Sequence, residues 1–396
     1  MHRMTNQVRP YAWGSRTEIP RLLGVSPTGE PQAELWLGAH PAAPSMLHHP
    51  HGTTPLDSAI SADPTGLLGS RTTHRFGPRL PYLLKMLAAA SPLSLQAHPD
   101  ADQARAGYAH EESAGIPLDA PERNYPDPFS KPELLVALEP FVALCGFRQP
   151  QSISQELGQI DDPVIRRLRV DLTAPEPAAA LRAAFTRLLR LGPSERDQLL
   201  TALLHHRHGG QRDTPGVLGH GDTVLELAKH HPDDPGVAAS ILLNRIELQP
   251  GEALFLPPGN VHAYLRGTAI EVMGSSDNVL RAGLTSKHVN VNELLRTVRF
   301  TPLPVPYVRP ERSGRVMRYV APTQEFVLSM IEPGADPVTV PGGLPRVLLC
   351  LTDQAHLHTR EQYLALSRGE SAFLPAADET ATITGAGRLV LVAPGT

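Results

Sequence analysis

The feature that most constrains the fold is the stretch Ile246–Lys287, in which two Gly/Pro turns separate short apolar runs. Ala253–Leu256 follows the first turn and has the composition of a strand. The second turn, Pro257–Asn260, leads into His262 and Tyr264. Because positions two apart share one face of a strand, these two side chains are predicted to face the same enclosed space. The pattern predicts a β-sheet whose turn presents a histidine to its interior.

The spacing of the turn residues before His262 indicates a metal ligand. Five residues separate Gly251 from Pro257, one separates Pro257 from Gly259, and two separate Gly259 from His262. This spacing resembles the second metal-binding motif of the cupin superfamily. A lone histidine would be read as structural or exposed, whereas a histidine held rigidly by such a turn is suited to bind a metal.

Charge and composition exclude several classes of partner. The chain has 36 Lys and Arg against 40 Asp and Glu and carries no basic stripe, which argues against nucleic acid and anionic membranes. Cys145 and Cys350 are its two cysteines, so a disulfide framework is not expected and a cytoplasmic setting fits. Neither a signal peptide nor an apolar run of about 18 residues is present. The 41 prolines are spread along the chain, which favours short strands.

A second informative pattern lies at Ser94, Gln96 and His98, which alternate with apolar residues. Period-two alternation predicts a strand with one polar and one apolar face. If the polar face points inward, it is costly unless something binds there. The alternative is a solvated outer face.

Lys131 and Glu133 are also two residues apart, and an apolar, strand-like run follows them. Pro132 biases Lys131 toward an extended conformation. The pair is either part of an interior site or an exposed ion pair. The candidate ligands are therefore Gln96, His98, Glu133 and His262, whose residue types suit a divalent metal such as zinc. No local spacing joins residues 96–133 to His262.

The N-terminal 50 residues hold two aromatic-Gly motifs, Tyr11–Gly14 and Glu34–Pro41. We interpret both as core strands closed by turns. His40 lies in the second motif, but nothing beside it in the sequence supports a role as a ligand.

From Gln149 to about Pro232 the pattern changes to helical. Apolar residues recur with helical spacing and predict an amphipathic helix, and Ser194 is predicted to cap the next one. The apolar positions are Leu181, Phe185, Leu188 and Leu189. The histidines of this segment are predicted to be solvated: His205, His206, His208 and His220.

The C-terminal quarter predicts a second β-region. Its short alternating runs predict strands at Val316–Val320, Phe326–Ile331, Val347–Leu351, Tyr363–Ser367 and Leu389–Val392. Gly369–Pro375 repeats the Gly-to-Pro spacing of Gly251–Pro257, but no histidine follows Pro375. We expect a jelly roll that kept the turn, binds no metal and packs against the first β-region.

Almost the whole chain resembles the type I mannose-6-phosphate isomerase family. The C-terminal signature of that family is matched at 262–265, 267, 270–273, 276–285 and 287, with departures at Gly274 and Ser286. The other signature is matched at Tyr125, Asp127, Lys131, Pro132 and Glu133. There, Phe129 and Ser130 replace the usual Asn-His, so no histidine precedes the lysine. The segments AELWLGAHP and SLQAHPD are also typical of the family.

Pattern and resemblance together predict a mainly β fold with a helical insertion. A cupin or jelly-roll catalytic domain is expected in two parts, residues 1–148 and 233–300. The helical insertion spans 149–232, and a metal-free jelly roll spans 301–396.

The resemblance implies a zinc enzyme that interconverts mannose 6-phosphate and fructose 6-phosphate, with one ion per chain. The positions that match the family's metal ligands are Gln96, His98, Glu133 and His262. Arg281 matches the catalytic residue, and the positions that match pocket residues are Ser94, Lys85, Lys131, Tyr264, Glu271 and Asp277. The expected reaction is proton transfer through a cis-enediol, with Arg281 stabilising charge; Glu271 or a lysine such as Lys131 carries the proton.

Three other functions are compatible with parts of this pattern. An iron dioxygenase would also use two histidines and a carboxylate, but Gln96 and the lysine- and arginine-rich pocket argue against it. A sugar-binding protein without turnover does not explain Glu271, Asp277, Arg281 and Lys287 beside the metal ligands. An isomerase of the same family with another preferred sugar stays open. We expect a monomer.

Overall fold

The computed structural model describes residues 1–209, 220–302 and 304–395. This part of the chain is mainly β, with most of its helices grouped in the middle, and the predicted fold class is confirmed. None of the helices in the described ranges is long and apolar enough to cross a membrane.

Strands are numbered in chain order. Those before the helical segment are β1 (His2–Thr5), β2 (Gln7–Arg9), β3 (Glu34–Leu37), β4 (Met46–His49), β5 (Gly52–Pro55), β6 (Tyr82–Ala89), β7 (Leu95–Ala97), β8 (Glu133–Ala137) and β9 (Phe141–Phe147). Those that follow it are β10 (Leu243–Leu248), β11 (Ala253–Leu256), β12 (His262–Gly274), β13 (Leu280–Gly283), β14 (Tyr307–Val308), β15 (Glu311–Ser313), β16 (Val316–Tyr319), β17 (Val327–Ile331), β18 (Val338–Val340), β19 (Arg346–Cys350), β20 (Gln354–His358), β21 (Tyr363–Ser367), β22 (Ser371–Leu374), β23 (Ala381–Gly385) and β24 (Leu389–Ala393).

Helices are numbered in the same way. They are α1 (Glu18–Leu23), α2 (Leu56–Ala62), α3 (Pro64–Phe76), α4 (Ala101–Ser113), α5 (Pro150–Leu157), α6 (Pro163–Asp171), α7 (Pro177–Leu189), α8 (Pro193–Gly209), α9 (His220–His230), α10 (Pro235–Ala239) and α11 (Val291–Thr297).

The long strand β12 lies at the centre of an eleven-stranded sheet. Its C-terminal half pairs with β6 and β8, and its N-terminal half pairs with β7 and β9. Successive side chains of β8 pack on opposite faces of this sheet. Leu135 packs in an inner cluster with Tyr264, whereas Leu134 and Val136 pack in a larger outer core. The inner face of this sheet therefore encloses the space that the turn before His262 was predicted to reach.

A nine-stranded sheet covers the outer face. Leu134 and Val272 of the first sheet share one buried core with Leu328 and Phe373 of the second. The predicted packing of the C-terminal region against the first β-region is confirmed by this core. The N-terminal strands β1, β4 and β5 also lie in the nine-stranded sheet, where β1 pairs with β22. The division into domains at 148, 232 and 300 stays a prediction.

The helical segment follows its sequence pattern closely. Its predicted amphipathic helix is α7, whose apolar face is buried at Leu181, Phe185 and Leu188. The prediction that Ser194 caps the next helix is wrong, because α8 begins at Pro193. A proline suits the first helical position, where its missing N–H has no partner to lose.

The histidines of this segment are only partly described. His205 is exposed, as expected of a solvated side chain. His206, His208 and His220 lie outside the residues whose side chains the structure describes.

Candidate active site

Strand register brings the first site residues onto one face. Gln96 of β7 lies directly opposite His262 of β12 on one side and opposite Arg281 of β13 on the other. Directly opposite residues of antiparallel strands carry neighbouring side chains on the same face. Three residues far apart in sequence therefore form a row at the inner surface of the sheet.

His98, Glu133 and His262 converge beside this row. Nε2 of His98 lies 3.2 Å from Oε1 of Glu133, and Nε2 of His262 lies 3.3 Å from Oε2 of Glu133. A potential ligand atom of each residue lies within 4.8 Å of the others. All three residues are at most 2% exposed. Three of the four predicted ligands are therefore brought together at a single buried point.

Main-chain carbonyls orient both imidazoles. Nδ1 of His98 lies 2.7 Å from the carbonyl oxygen of Asn278, and Nδ1 of His262 lies 3.2 Å from that of Asn260. Because a carbonyl oxygen only accepts, each Nδ1 carries the hydrogen and each Nε2 presents a lone pair to Glu133. Burial lowers the pKa of His98 to about 4, which keeps this ring neutral. No local sequence pattern indicates this role of Asn278, because its main-chain carbonyl performs it.

The donor set fits a divalent metal ion. Among the described residues, Nε2 of His98 and Oε2 of Glu133 are buried without a hydrogen-bond partner. Burying such atoms is unfavourable unless a ligand satisfies them. Two imidazole nitrogens and one carboxylate suit zinc.

The Gln96 amide faces the same cluster, with Nε2 3.4 Å from Nε2 of His262. Its Oε1 accepts a hydrogen bond from Oγ of Ser94. A half turn of the amide about its terminal bond exchanges these atoms and brings the oxygen toward the metal position. Ser94 and Gln96 thus share a face as predicted, and together with buried His98 they argue against a solvated outer face.

Lys131 lies beside the cluster, with Nζ 3.3 Å from Oε1 of Glu133. It is 7% exposed, so the alternative of an exposed ion pair is wrong. Burial alone would raise the pKa of Glu133, but the nearby Lys131 ammonium holds that pKa well below its ordinary value. The carboxylate is therefore ionised and ready to bind a cation.

A buried charge network extends from Lys85, whose Nζ lies 3.5 Å from Glu34 and 3.6 Å from Glu271. Tyr264 donates a 2.8 Å hydrogen bond to Glu271, and Trp36 donates a 2.6 Å hydrogen bond to Glu34. Burial favours a lower pKa for Lys85, but the two carboxylates outweigh it and raise the pKa. Lys85 therefore stays protonated.

Glu34 is a site residue that the sequence analysis missed. It shares a strand face with Trp36, two positions on, and β3 pairs with β6 so that Trp36 lies opposite Lys85. A lysine inside an all-buried strand needs a carboxylate nearby, and that requirement was the signal available.

Glu133 of this cluster and the neighbouring Gln96 line a cavity of about 570 Å³. Arg281 and Lys287 line it, and neither forms a salt bridge within the described residues. Burial lowers the pKa of Arg281, and burial followed by the proximity of Arg281 lowers the pKa of Lys287. Arg281 and Lys287 have no salt-bridge partner in the part of the chain that the structure describes, so both side chains are suited to bind an anionic ligand in this cavity. His230 and His231 of the helical segment also reach this cavity.

Comparison with known families gives one match to a family model. Residues 1–150 match the model described as phosphomannose isomerase type I, catalytic domain. This range contains Lys85, Gln96, His98 and Glu133.

Relatives match over the full length. Mannose-6-phosphate isomerase of Salmonella typhimurium is 38% identical over 399 residues, covering 99% of each chain. The human protein of that name is 31% identical and covers 88% of this chain and 84% of its own. Among solved structures, a mutant phosphomannose isomerase from Salmonella typhimurium superposes with a TM-score of 0.92 at 38% identity, covering both chains fully. A zinc-bound mannose 6-phosphate isomerase superposes with a TM-score of 0.91 at 37% identity over 100% of this chain and 99% of its own.

Proposed function

The chain belongs to the type I phosphomannose isomerase family, and we infer from this that it interconverts mannose 6-phosphate and fructose 6-phosphate. It is a zinc-dependent aldose-ketose isomerase. The observation that carries this conclusion is the convergence of His98, Glu133 and His262. Glu133 also lines a cavity that is bordered by cations and carboxylates. Gln96 supplies the fourth position of the proposed ligand set.

When bound, zinc would supply a positive charge that polarises and orients substrate oxygen atoms. His98, Glu133, His262 and Gln96 would hold it.

Arg281 and Lys287 are proposed to bind anionic oxygens of the substrate. Arg281 cannot act as a base because its guanidinium stays protonated at any working pH. Its place opposite Gln96 puts its charge next to the proposed metal ligands. Charge that develops on the substrate oxygens during enediol formation is stabilised there.

Proton transfer is proposed to involve Glu271. Moving the carbonyl between C1 and C2 requires a base that removes the proton from one carbon and returns it to the other. Lys85 is unsuited to this because Glu34 and Glu271 keep it protonated. Burial and then Glu133 raise the pKa of Glu271, so this carboxyl can both take up and release a proton. Lys131 lines the same cavity. It is proposed to assist the proton exchange at the oxygens on C1 and C2, where one oxygen loses a proton and the other gains one.

A coupled isomerase assay on mannose 6-phosphate tests the function. Purified protein should turn over, lose activity on chelation and regain it with added zinc. Turnover in deuterated water should place some deuterium at C2 of mannose 6-phosphate or C1 of fructose 6-phosphate. Activity that survives complete removal of metal contradicts the zinc requirement.

The preferred sugar is addressed by comparing kcat/KM across several aldose phosphates. Mannose 6-phosphate is expected to give the highest value. A higher value for another sugar phosphate would identify an isomerase of the same family with a different substrate.

We further propose that the protein acts as a cytoplasmic monomer. Cys145 and Cys350 are both buried and form no disulfide, which is consistent with a reducing compartment. Light scattering coupled to gel filtration measures the molar mass; a value of about twice 42.8 kDa would contradict the monomer.

A further inference from the structure

We propose that His40 is a positioning residue, which holds the carboxylate of Asp277 in the orientation that binds a hydroxyl group of the sugar. The proposal rests on the function given above and on the family resemblance, which places Asp277 among the residues that line the substrate pocket. His40 follows β3, and Asp277 precedes β13, so these residues come from distant parts of the chain.

The hydrogen bond between His40 and Asp277 has a defined donor and acceptor. The main-chain N–H of Ala42 donates to Nδ1 of His40 at 3.2 Å, so Nδ1 carries no hydrogen. The hydrogen is therefore on Nε2, which lies 3.1 Å from Oδ2 of Asp277. A neutral ring in this tautomer donates toward the carboxylate.

Packing fixes the ring itself. His40 is 3% exposed, and its ring meets that of Trp36 edge-on at a centroid distance of 4.8 Å. Trp36 is held in turn by its hydrogen bond to Glu34. Because the ring is already held in place, little conformational entropy is lost at His40 when substrate binds.

The main chain at Asp277 is held by different contacts. The main-chain N–H of Asp277 donates to Oδ2 of Asp127 at 2.7 Å. Next to it, the side-chain Nδ2 of Asn278 donates to the carbonyl oxygen of Phe129 at 2.7 Å. The turn is therefore fixed without His40, which acts on the carboxylate alone.

Asp277 also borders the cavity proposed to bind substrate. The side chain is 51% exposed and lines the same cavity as Arg281. Burial alone would raise the pKa of Asp277, but the hydrogen bond with His40 holds it below the ordinary value. One oxygen is held by protein while the other is free, among the described residues, to accept from a hydroxyl.

Three substitutions separate positioning from folding. His40→Gln keeps an amide N–H near the place of Nε2, whereas His40→Asn places it near Nδ1 and His40→Ala removes it. For mannose 6-phosphate, KM should rise about 10- to 100-fold in the Ala and Asn variants, the effect of one hydrogen bond to a charged group. The Gln variant should stay close to the parent protein, and kcat should change less than KM in all three.

A double substitution and a structural readout complete the test. In an Asp277→Asn background, His40→Ala should cause no further loss, because two residues acting as one unit are not additive. Equal KM values for the Gln and Ala variants would overturn the proposal. If the parent protein proves inactive on mannose 6-phosphate, the function fails but the positioning role is still tested by crystal structures: the Asp277 carboxylate should rotate in His40→Ala and stay in His40→Gln. An unmoved carboxylate in His40→Ala would refute it.

Discussion

Two Gly-to-Pro turns of the same length, one in each β-region, lead to different outcomes. In the first region, Leu256 ends β11 before Pro257 and lies opposite Glu133. In the second, Leu374 ends β22 before Pro375 and lies opposite Arg346. The same register position thus holds a proposed metal ligand in one region and a cation in the other.

In the second β-region, Arg346 supplies the hydrogen-bond donors for the carbonyl oxygens around the turn. It is 1% exposed and donates to the carbonyl oxygens of Pro341, Pro375 and Asp378 at 2.7, 3.0 and 3.3 Å. These carbonyls come from the turn and its surroundings. A covalently attached cation satisfies the oxygens and leaves no position for a substrate. In the second region the Arg346 guanidinium occupies its site permanently, whereas a catalytic metal in the first region would keep a coordination position open for substrate.

The largest effect is expected from removing the histidine that distinguishes the two turns. His262→Ala should lower bound zinc from about one ion per chain to near zero. Isomerase activity should fall about 10³-fold or more, because a catalytic metal contributes several kcal/mol of charge stabilisation. Metal analysis and the coupled assay measure both, with the exposed His205 replaced by alanine as the control. Unchanged zinc content in His262→Ala would end the ligand assignment.

Arg281→Ala tests the charge beside the metal position. Turnover should drop about 10²-fold, as loss of one preorganised charge donor typically does. Substrate should still bind, because Lys287, Lys131 and the metal remain. Steady-state kinetics separate the two effects, and Arg299→Ala, at the surface, serves as the control. Turnover close to that of the parent protein would remove Arg281 from its proposed role.

Arg346→Met tests the cation of the second region. The substitution leaves three buried carbonyl oxygens without their donor. At about 1–3 kcal/mol for each unsatisfied group, the free energy of unfolding should fall by about 3 kcal/mol or more. Zinc content should stay at one ion per chain, since this region is not expected to hold metal. Urea unfolding measures the change, and Arg360→Met, which is exposed, is the matched control. Loss of zinc from Arg346→Met would contradict the expectation that zinc binding in the first β-region does not depend on Arg346 in the second.

Chelation should give the smallest effect on stability. A ligand that binds only the folded chain at 100 times its dissociation constant stabilises by about 2.7 kcal/mol. Removing zinc should therefore lower the thermal midpoint of the parent protein and of Arg346→Met by similar amounts. His262→Ala should show no shift, and a shift of normal size in that variant would place the metal elsewhere.

Local patterns predicted the parts of the site that lie within one strand or turn. The spacing before His262 and the alternation of Ser94, Gln96 and His98 are short-range signals, and the structure brings these residues together. The helix containing Phe185 was equally clear, since its apolar face recurs with helical period.

What sequence patterns could not supply is register between distant strands. Glu34 and His40 lie in a segment interpreted as a core strand and turn, and Trp36 is indeed buried there. Their roles depend on β3 lying beside β6 and on the loop after β3 meeting Asp277. Joining Glu133 to His262 likewise needed the family resemblance, because no local spacing connects them.

The placement of β1 has a consequence for biosynthesis. This strand, formed by residues 2–5, pairs with β22, formed by residues 371–374. During translation the first strand emerges long before its partner, and closing so long a loop is entropically slow. Its edge is therefore open to wrong pairing for most of synthesis, a state in which chains aggregate. Chaperones that bind extended segments should engage this N-terminal end until the last strands leave the ribosome.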